Sequence, residues 1–355
     1  MSVKQAVLAA LTSRAVAPLW RPFVNDCVVL LMLHRFSDDE RGGHGVSVAG
    51  VRECLQFLRR SKIPVASLHD LLSANGAPGR GSSPSVVFTV DDGYADFARL
   101  AAPVFAEFDC PVTVFLTTAP IDRAAWLWWD RVEYVVASTA RSRVELEVGG
   151  VPMNWRWASA TERIVAAESI SESLKVIPDA QKEAVLVELA TRLEVDVPAQ
   201  PTSSYAAMTW SDVRRCGERG ATFGPHTVTH PMLPQVSDAE AEREILESWR
   251  VLRANCTATV PVFCYPNGAY TEREVSILAR SDLAAALTTK PRYAARSLFG
   301  AAAGHERFRI SRFAYTENRP RLRAMLTGFE RVNMAIQDGR DGWRTIDTGP
   351  MAATT

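Results

Sequence analysis

Three short apolar runs constrain this chain most: CVVLLML at 27–33, VVFTV at 86–90 and PVTVFL at 111–116. Each is of strand length and lacks polar alternation, the pattern of a strand buried on both faces. Helical spacing fills the gaps, with Val51, Cys54, Leu55 and Leu58 in 47–61, a second helix from Leu68 to Leu72, and a third from Phe97 to Phe108. Pro64-Val65-Ala66 predicts a further short strand, and ANGAPGRGSSP at 74–84 a flexible loop. Strands alternating with helices predict parallel pairing through crossover helices, an α/β fold.

The pattern changes at about 125. WLWWD at 126–130 is aromatic-rich, and residues 143–157 alternate around Gly149-Gly150, which predicts a hairpin. Two helical patterns meet near Pro178, and the polar stretch VPAQPTSS closes the block at 197–204. The expectation is one domain over 1–330 with a helix-and-hairpin insertion at about 125–205, followed by a tail at 331–355. Beyond the insertion, Thr209 caps a helix, Ala221–Gly224 is a strand, and Ser237 with Glu240 predicts a capping box for helix 237–254. Strands follow at 260–265, 284–289 and 307–313, with helices at 271–280 and 318–337.

Lys plus Arg and Asp plus Glu each total 40, so the net charge is zero, which excludes a nucleic-acid binder that relies on a basic face. Six cysteines stand far apart with no C-x-x-C pair, so buried free thiols are expected. The N-terminal segment is broken by Arg14, Pro18, Arg21 and Pro22, unlike a signal peptide or a membrane span. Val3, Val7, Leu8 and Leu11 form one helical face that packs on the body or lies on a membrane surface. A cytoplasmic protein of undefined oligomeric state is the expectation, with peripheral membrane contact through that segment as the variant.

Polar residues cluster where the predicted strands end. His34, Asp91-Asp92, His226 and Pro266-Asn267-Gly268 each follow an apolar run. In an α/β barrel that face carries the active site. His226 and His230, spaced H-x-x-x-H on a single helical turn, have a bite suited to a divalent ion, or are two surface histidines. Asp91-Asp92-Gly93 is a carboxylate pair at a strand end, or simply a turn. Successive residues on a strand point oppositely, so one Asp can ligate a metal while the other accepts a proton. Trp126, Trp128, Trp129 and Asp130 suit a sugar-binding wall or a hydrophobic anchor. His44 and His69 have no assignable partner.

VFTVDDGYAD, FGPHTVTHPML and VFCYPNGAY, in that order, resemble the first three motifs of the polysaccharide deacetylases, metal-dependent carbohydrate esterases that share the chitooligosaccharide deacetylase homology domain. FRISRF at 308–313 echoes a later family motif, and WLWWDRVEY resembles members from bacterial exopolysaccharide pathways. The resemblance spans about 27–315 outside the middle of the insertion. It implies a distorted (β/α)7-type barrel and hydrolysis of an N-acetyl group on a sugar or glycan intermediate. Asp91 is then the general base, and Asp92, His226 and His230 hold the metal, Zn2+ first, with Co2+, Ni2+ or Fe2+ as alternatives. Tyr265, Asn267, Trp129 and Asp130 are the implied substrate contacts, with a backbone N–H near Asn267 facing the oxyanion.

Two departures stand out. The family's third-motif arginine, partner of the catalytic Asp, is Cys264 here, and Arg312 is the candidate replacement. The family's general-acid histidine is missing; His34 is the candidate acid, and His305 is expected to be a loop residue. The same residues also suit an O-acetyl esterase, a deformylase, another amidohydrolase, or a sugar-binding relative without activity.

Overall fold

The computed structural model describes residues 3–13, 15–38, 45–77 and 84–337. His44, most of the 74–84 loop and positions 338–355 lie outside the described residues.

The apolar runs become parallel strands. We label β1 (Cys27–Leu33), β2 (Ser85–Val90), β3 (Val112–Leu116), β4 (Ala221–Pro225), β5 (Val262–Cys264), β6 (Ala285–Leu287) and β7 (Phe313–Ala314). β1 pairs in parallel with β2 and with β7, β2 with β3, and β3 with β4. β5 and β6 form a second parallel pair. Single parallel bridges, Phe223↔Thr259 and Leu287↔Ile310, connect β4 to the approach of β5 and β6 to the approach of β7. The result is a mixed α/β fold.

Alternate residues of β1 enter different cores, which is why the run has no polar positions. Val28 and Leu30 join Val87, Phe115, Val262 and Leu287 on one face. Val29, Leu31 and Leu33 pack with Phe88, Phe97 and Phe263 on the other. A third cluster lies wholly within residues 132–193, where Val135, Leu146, Trp155, Ile170 and Leu189 meet. There the hairpin Arg143–Val148 and Val151–Arg156 turns at Gly149-Gly150, both at positive φ (60° and 83°), as a tight two-residue turn requires. Helices Ala160–Leu174 and Asp179–Arg192 flank it, separated at Pro178.

Several expected elements differ. Pro64-Val65-Ala66 makes only the bridge Val65↔Val86. The 97–108 helix opens as a π-helical turn, Phe97–Ala101, since Pro103 removes an N–H from the first α turn. Ser237 caps its helix, but Glu240 turns to Arg243 instead of back to the cap, so the box is half made. Residues 301–308 curl into 3-10 turns held by Arg309 on Glu306 and Glu272, and only Ile310 and Phe313–Ala314 pair as strand. The last helix breaks at Gly328 (φ 89°) into Arg319–Thr327 and Phe329–Gln337, so the expected tail from 331 begins inside a helix. All six cysteines are free. Among the described residues no helix is long and apolar enough to cross a membrane.

Candidate active site

The ends of β1, β2, β4 and β5 open into one cleft of about 660 Å³, and His34, Asp91, Asp92, His226, His230 and Asn267 all line it. Sequence spacing brought these residues only to strand ends; the parallel pairing brings them together.

At the end of β2 the backbone reverses sharply. Asp91 N–H donates to the Leu33 carbonyl, the last ladder bond, and Gly93 N–H closes back on the Asp91 carbonyl. Asp92 (φ 72°) and Gly93 (φ 81°) are both left-handed, and a Cβ on Gly93 would lie 2.6 Å from Leu116 Cδ2. A left-handed Asp costs energy that the surrounding contacts must offset. The turn sends the two carboxylates to different partners.

Asp91 pairs with Arg312. Two guanidinium nitrogens donate to its two carboxylate oxygens at 2.7 Å each, while Nε donates to the Thr288 carbonyl and Nη1 to Thr89 Oγ1. Arg312 is 0% exposed and Asp91 2%, so the ion pair lies wholly in the protein interior. Burial alone would raise the Asp91 pKa, but the Arg312 charge outweighs it and holds the carboxyl well below the usual range. The Cys264 thiol sits 3.0 Å from Arg312 Nη2 and 3.5 Å from Asp91 Oδ2. Burial pushes that thiol up, so it stays neutral beside the ion pair.

Asp92 faces the histidines. Its Oδ1 stands 3.5 Å from Nε2 of His226 and 3.5 Å from Nε2 of His230, and the three donor atoms lie within 4.8 Å of one another. That spacing is long for a hydrogen bond. It is close to the separation of about 3.4 Å between donors each about 2.1 Å from a tetrahedral ion. His226 Nδ1 donates to the Cys264 carbonyl at 2.7 Å, leaving Nε2 as the lone-pair nitrogen toward Asp92. The donor set therefore fits a divalent cation such as Zn2+. Burial opposes charge on both imidazoles, and the neighbouring His226 adds to that opposition at His230, whose pKa falls to about 3. At His226 burial is outweighed by the carboxylates of Asp92 and Asp91, and its pKa rises. For Asp92, burial is outweighed by the two histidines and the carboxyl is lowered.

The 226–230 segment is not a helical turn. Thr227 (φ 68°) and His230 (φ 61°) are left-handed, so the chain folds back and both rings face inward. Glu244, fully buried on helix Asp238–Asn255, accepts from the Val228 and Thr229 amides at 2.7 and 2.8 Å. Sequence reasoning missed it. The signal was there, since Glu244 lies on the face of Ala241, Ile245, Ser248 and Leu252, where an unpaired carboxylate would be costly.

His34 is 45% exposed at its side chain and points Nε2 toward Asp91 Oδ2 at 3.9 Å. Asn267 (φ 53°) is exposed at the same cleft, in a turn whose next residue, Gly268, would place a Cβ 2.2 Å from Thr289 Oγ1. Trp128 and Trp129 line the cleft. Two expected substrate contacts do not reach its surface. Tyr265 is fully buried and stacks on Tyr270, because the strand alternation that exposes the following turn points its ring into the core. Asp130 is buried behind Tyr94, whose hydroxyl donates to its carboxylate at 2.9 Å. Trp126 is an anchor, its Nε1 donating to the Pro198 carbonyl and its ring against Tyr134 and Tyr205. His305 lies exposed on the 301–308 turns, away from the cleft.

A family model described as polysaccharide deacetylase matches residues 192–286, the stretch holding both histidines and the Pro-Asn-Gly turn. No curated protein matches. Among solved structures, the fold is similar to the deacetylase PplD of Streptococcus pyogenes in complex with acetate, at TM-score 0.53 and 17% identity, covering 85% of this chain and 99% of that one. It is similar to IcaB from Ammonifex degensii, at TM-score 0.52 and 14% identity over 85% and 97% of the two chains. A de-N-acetylase from Aggregatibacter actinomycetemcomitans gives TM-score 0.52 and 11% identity over 82% and 96%. At these identities the likeness establishes a shared fold. The family match and the ordered motifs support the family itself.

Proposed function

We propose that this chain, a polysaccharide deacetylase by family, is a metal-dependent hydrolase that removes the acetyl group from an N-acetylated sugar or glycan, releasing acetate and a free amine. We read its strand arrangement as a distorted (β/α)7-type barrel, with residues 1–330 as one catalytic domain and about 125–205 as an insertion that supplies one wall of the cleft. The observation that carries the reading is the pairing of two differently held carboxylates at one strand end: Asp91 on Arg312, and Asp92 on two imidazoles.

Asp92, His226 and His230 would hold the cation, and Zn2+ suits two imidazoles and one carboxylate. When bound, the cation polarises the acetyl carbonyl and acidifies water. Asp91 takes the proton. The bidentate contact with Arg312 keeps it ionised and oriented, and also makes it a weak base, so the water it deprotonates must be unusually acidic. His34, solvent-reachable and beside Asp91, protonates the leaving nitrogen. The turn at Asn267 offers a backbone N–H toward the carbonyl oxygen, and Trp129 a flat face for a pyranose ring.

Acetate release from N-acetylated and O-acetylated oligosaccharides tests the reading. Release from the N-acetyl substrates that ceases with chelator supports it. Release from O-acetyl substrates alone would make the chain an esterase, and metal binding without release from either would leave a sugar-binding protein.

A further inference from the structure

The two histidines facing Asp92 are oriented in different ways. His226 has its Nδ1 anchored on the Cys264 carbonyl at 2.7 Å, the usual arrangement for a metal-binding imidazole. His230 has no such anchor: its Nδ1 is buried and finds no hydrogen-bond partner outside its own residue. The torsion that turns an imidazole ring is broad. Packing must therefore hold Nε2 toward Asp92.

That packing comes from Trp129. Its ring meets the His230 ring with centroids 4.5 Å apart at 63°, while His226 flanks the imidazole at 4.8 Å. The indole is itself fixed, because Nε1 donates to the Tyr94 hydroxyl at 2.9 Å. Tyr94 in turn donates to Asp130, standing 2.9 Å from both carboxylate oxygens. Arg35 lies 4.1 Å over the Tyr94 ring and is tied to Asp96 at 2.7 Å. Tyr94 and Asp130 are both buried, so solvent does not compete for these bonds. The series starts two residues after Asp92 and returns to the same centre through the opposite wall.

We infer that Trp129 is a positioning residue for His230: its indole, locked by the Tyr94 hydroxyl and Asp130, holds the imidazole on Asp92 in place of a hydrogen bond to Nδ1. The inference rests on the reading of Asp92, His226 and His230 as a divalent-metal site. It gives Trp129 a second task beside that of a sugar-stacking face. Trp129→Ala then loosens the metal site, whereas a wall residue alone would change only substrate binding.

The test is Co2+ titration of the full chain and of its Trp129→Ala, Trp129→Phe and Tyr94→Phe variants, following visible absorption and thermal midpoint. Trp129→Ala should weaken Co2+ binding about 10- to 100-fold and alter the absorption band. Trp129→Phe, which keeps a flat ring, should recover most of the affinity. Tyr94→Phe should show a smaller loss of affinity together with a lowered midpoint, since Asp130 and the Trp129 N–H lose a buried partner. As long as it stays folded, it carries the comparison if Trp129→Ala unfolds. Wild-type affinity and spectrum in both Trp129→Ala and Tyr94→Phe would overturn the inference while leaving the metal site standing. Failure of the wild type to bind Co2+ or Zn2+ would overturn the metal reading, and the inference with it.

Discussion

The two walls of the cleft are made differently. On the strand-end side, Asp91, Asp92, His226, His230 and Arg312 are all buried, with Asp91 tied to Arg312 and His226 to the Cys264 carbonyl. On the other side, helix Ala160–Leu174 presents Ile164, Glu168 and Glu172, which are exposed, with Lys175 bridging to Glu172 at 2.6 Å. A buried carboxylate that loses its partner costs several kcal/mol, whereas an exposed ion pair is worth about 0–1 kcal/mol. The first wall is therefore intolerant and suited to chemistry, and the second is adaptable and suited to choosing a substrate.

Substitutions at the buried wall should have the largest effects. Asp91→Asn should lower turnover about 10²- to 10⁴-fold while Co2+ binding persists, as measured by acetate release beside metal titration. Equal loss of both would show that Asp91 serves the metal.

Arg312→Met should cost about 3–5 kcal/mol in denaturant unfolding with chelator present, because it strands Asp91 in the core. The pH dependence follows from the depressed Asp91 pKa. The pair's stabilisation is fully present above the ordinary carboxylate value of about 4 and is lost as pH falls through the lower native value. In Arg312→Met the main opposition to burial is gone, and Asp91 rises from its wild-type value. The gap from wild type should then be widest near neutral pH and narrow in acid. A gap that does not vary with pH would mean that Arg312 acts by packing alone.

His34→Gln should lose about 10²-fold on an N-acetyl sugar and much less on an activated acetyl ester, whose leaving group needs no proton. Equal losses would remove His34 as the acid. On the other wall, Glu168→Gln should leave stability within about 0.5 kcal/mol and shift KM by no more than about threefold. A hundredfold loss of turnover there would erase the distinction between the walls.

Much of the buried wall was legible in the sequence, because strand-ending apolar runs mark where β1, β2, β4 and β5 stop. Arg312 was reachable by asking what replaces the arginine at position 264. Tyr265 and Asp130 were misassigned for one reason: proximity in sequence to a site residue does not set the direction of a side chain. The role of helix Ala160–Leu174 in lining the cleft was not legible, since its amphipathic spacing shows that it packs but not against which cleft. Tyr94, adjacent to the carboxylates, was invisible as a link to Trp129 because 35 residues separate them.

The most direct measurement is metal content and acetate release on the same preparations of wild type and Asp92→Ala, with thermal midpoints to confirm folding. The account predicts one divalent ion per chain and acetate release for wild type, and neither for folded Asp92→Ala. Acetate release from metal-stripped wild type, or from Asp92→Ala at an undiminished rate, would contradict it.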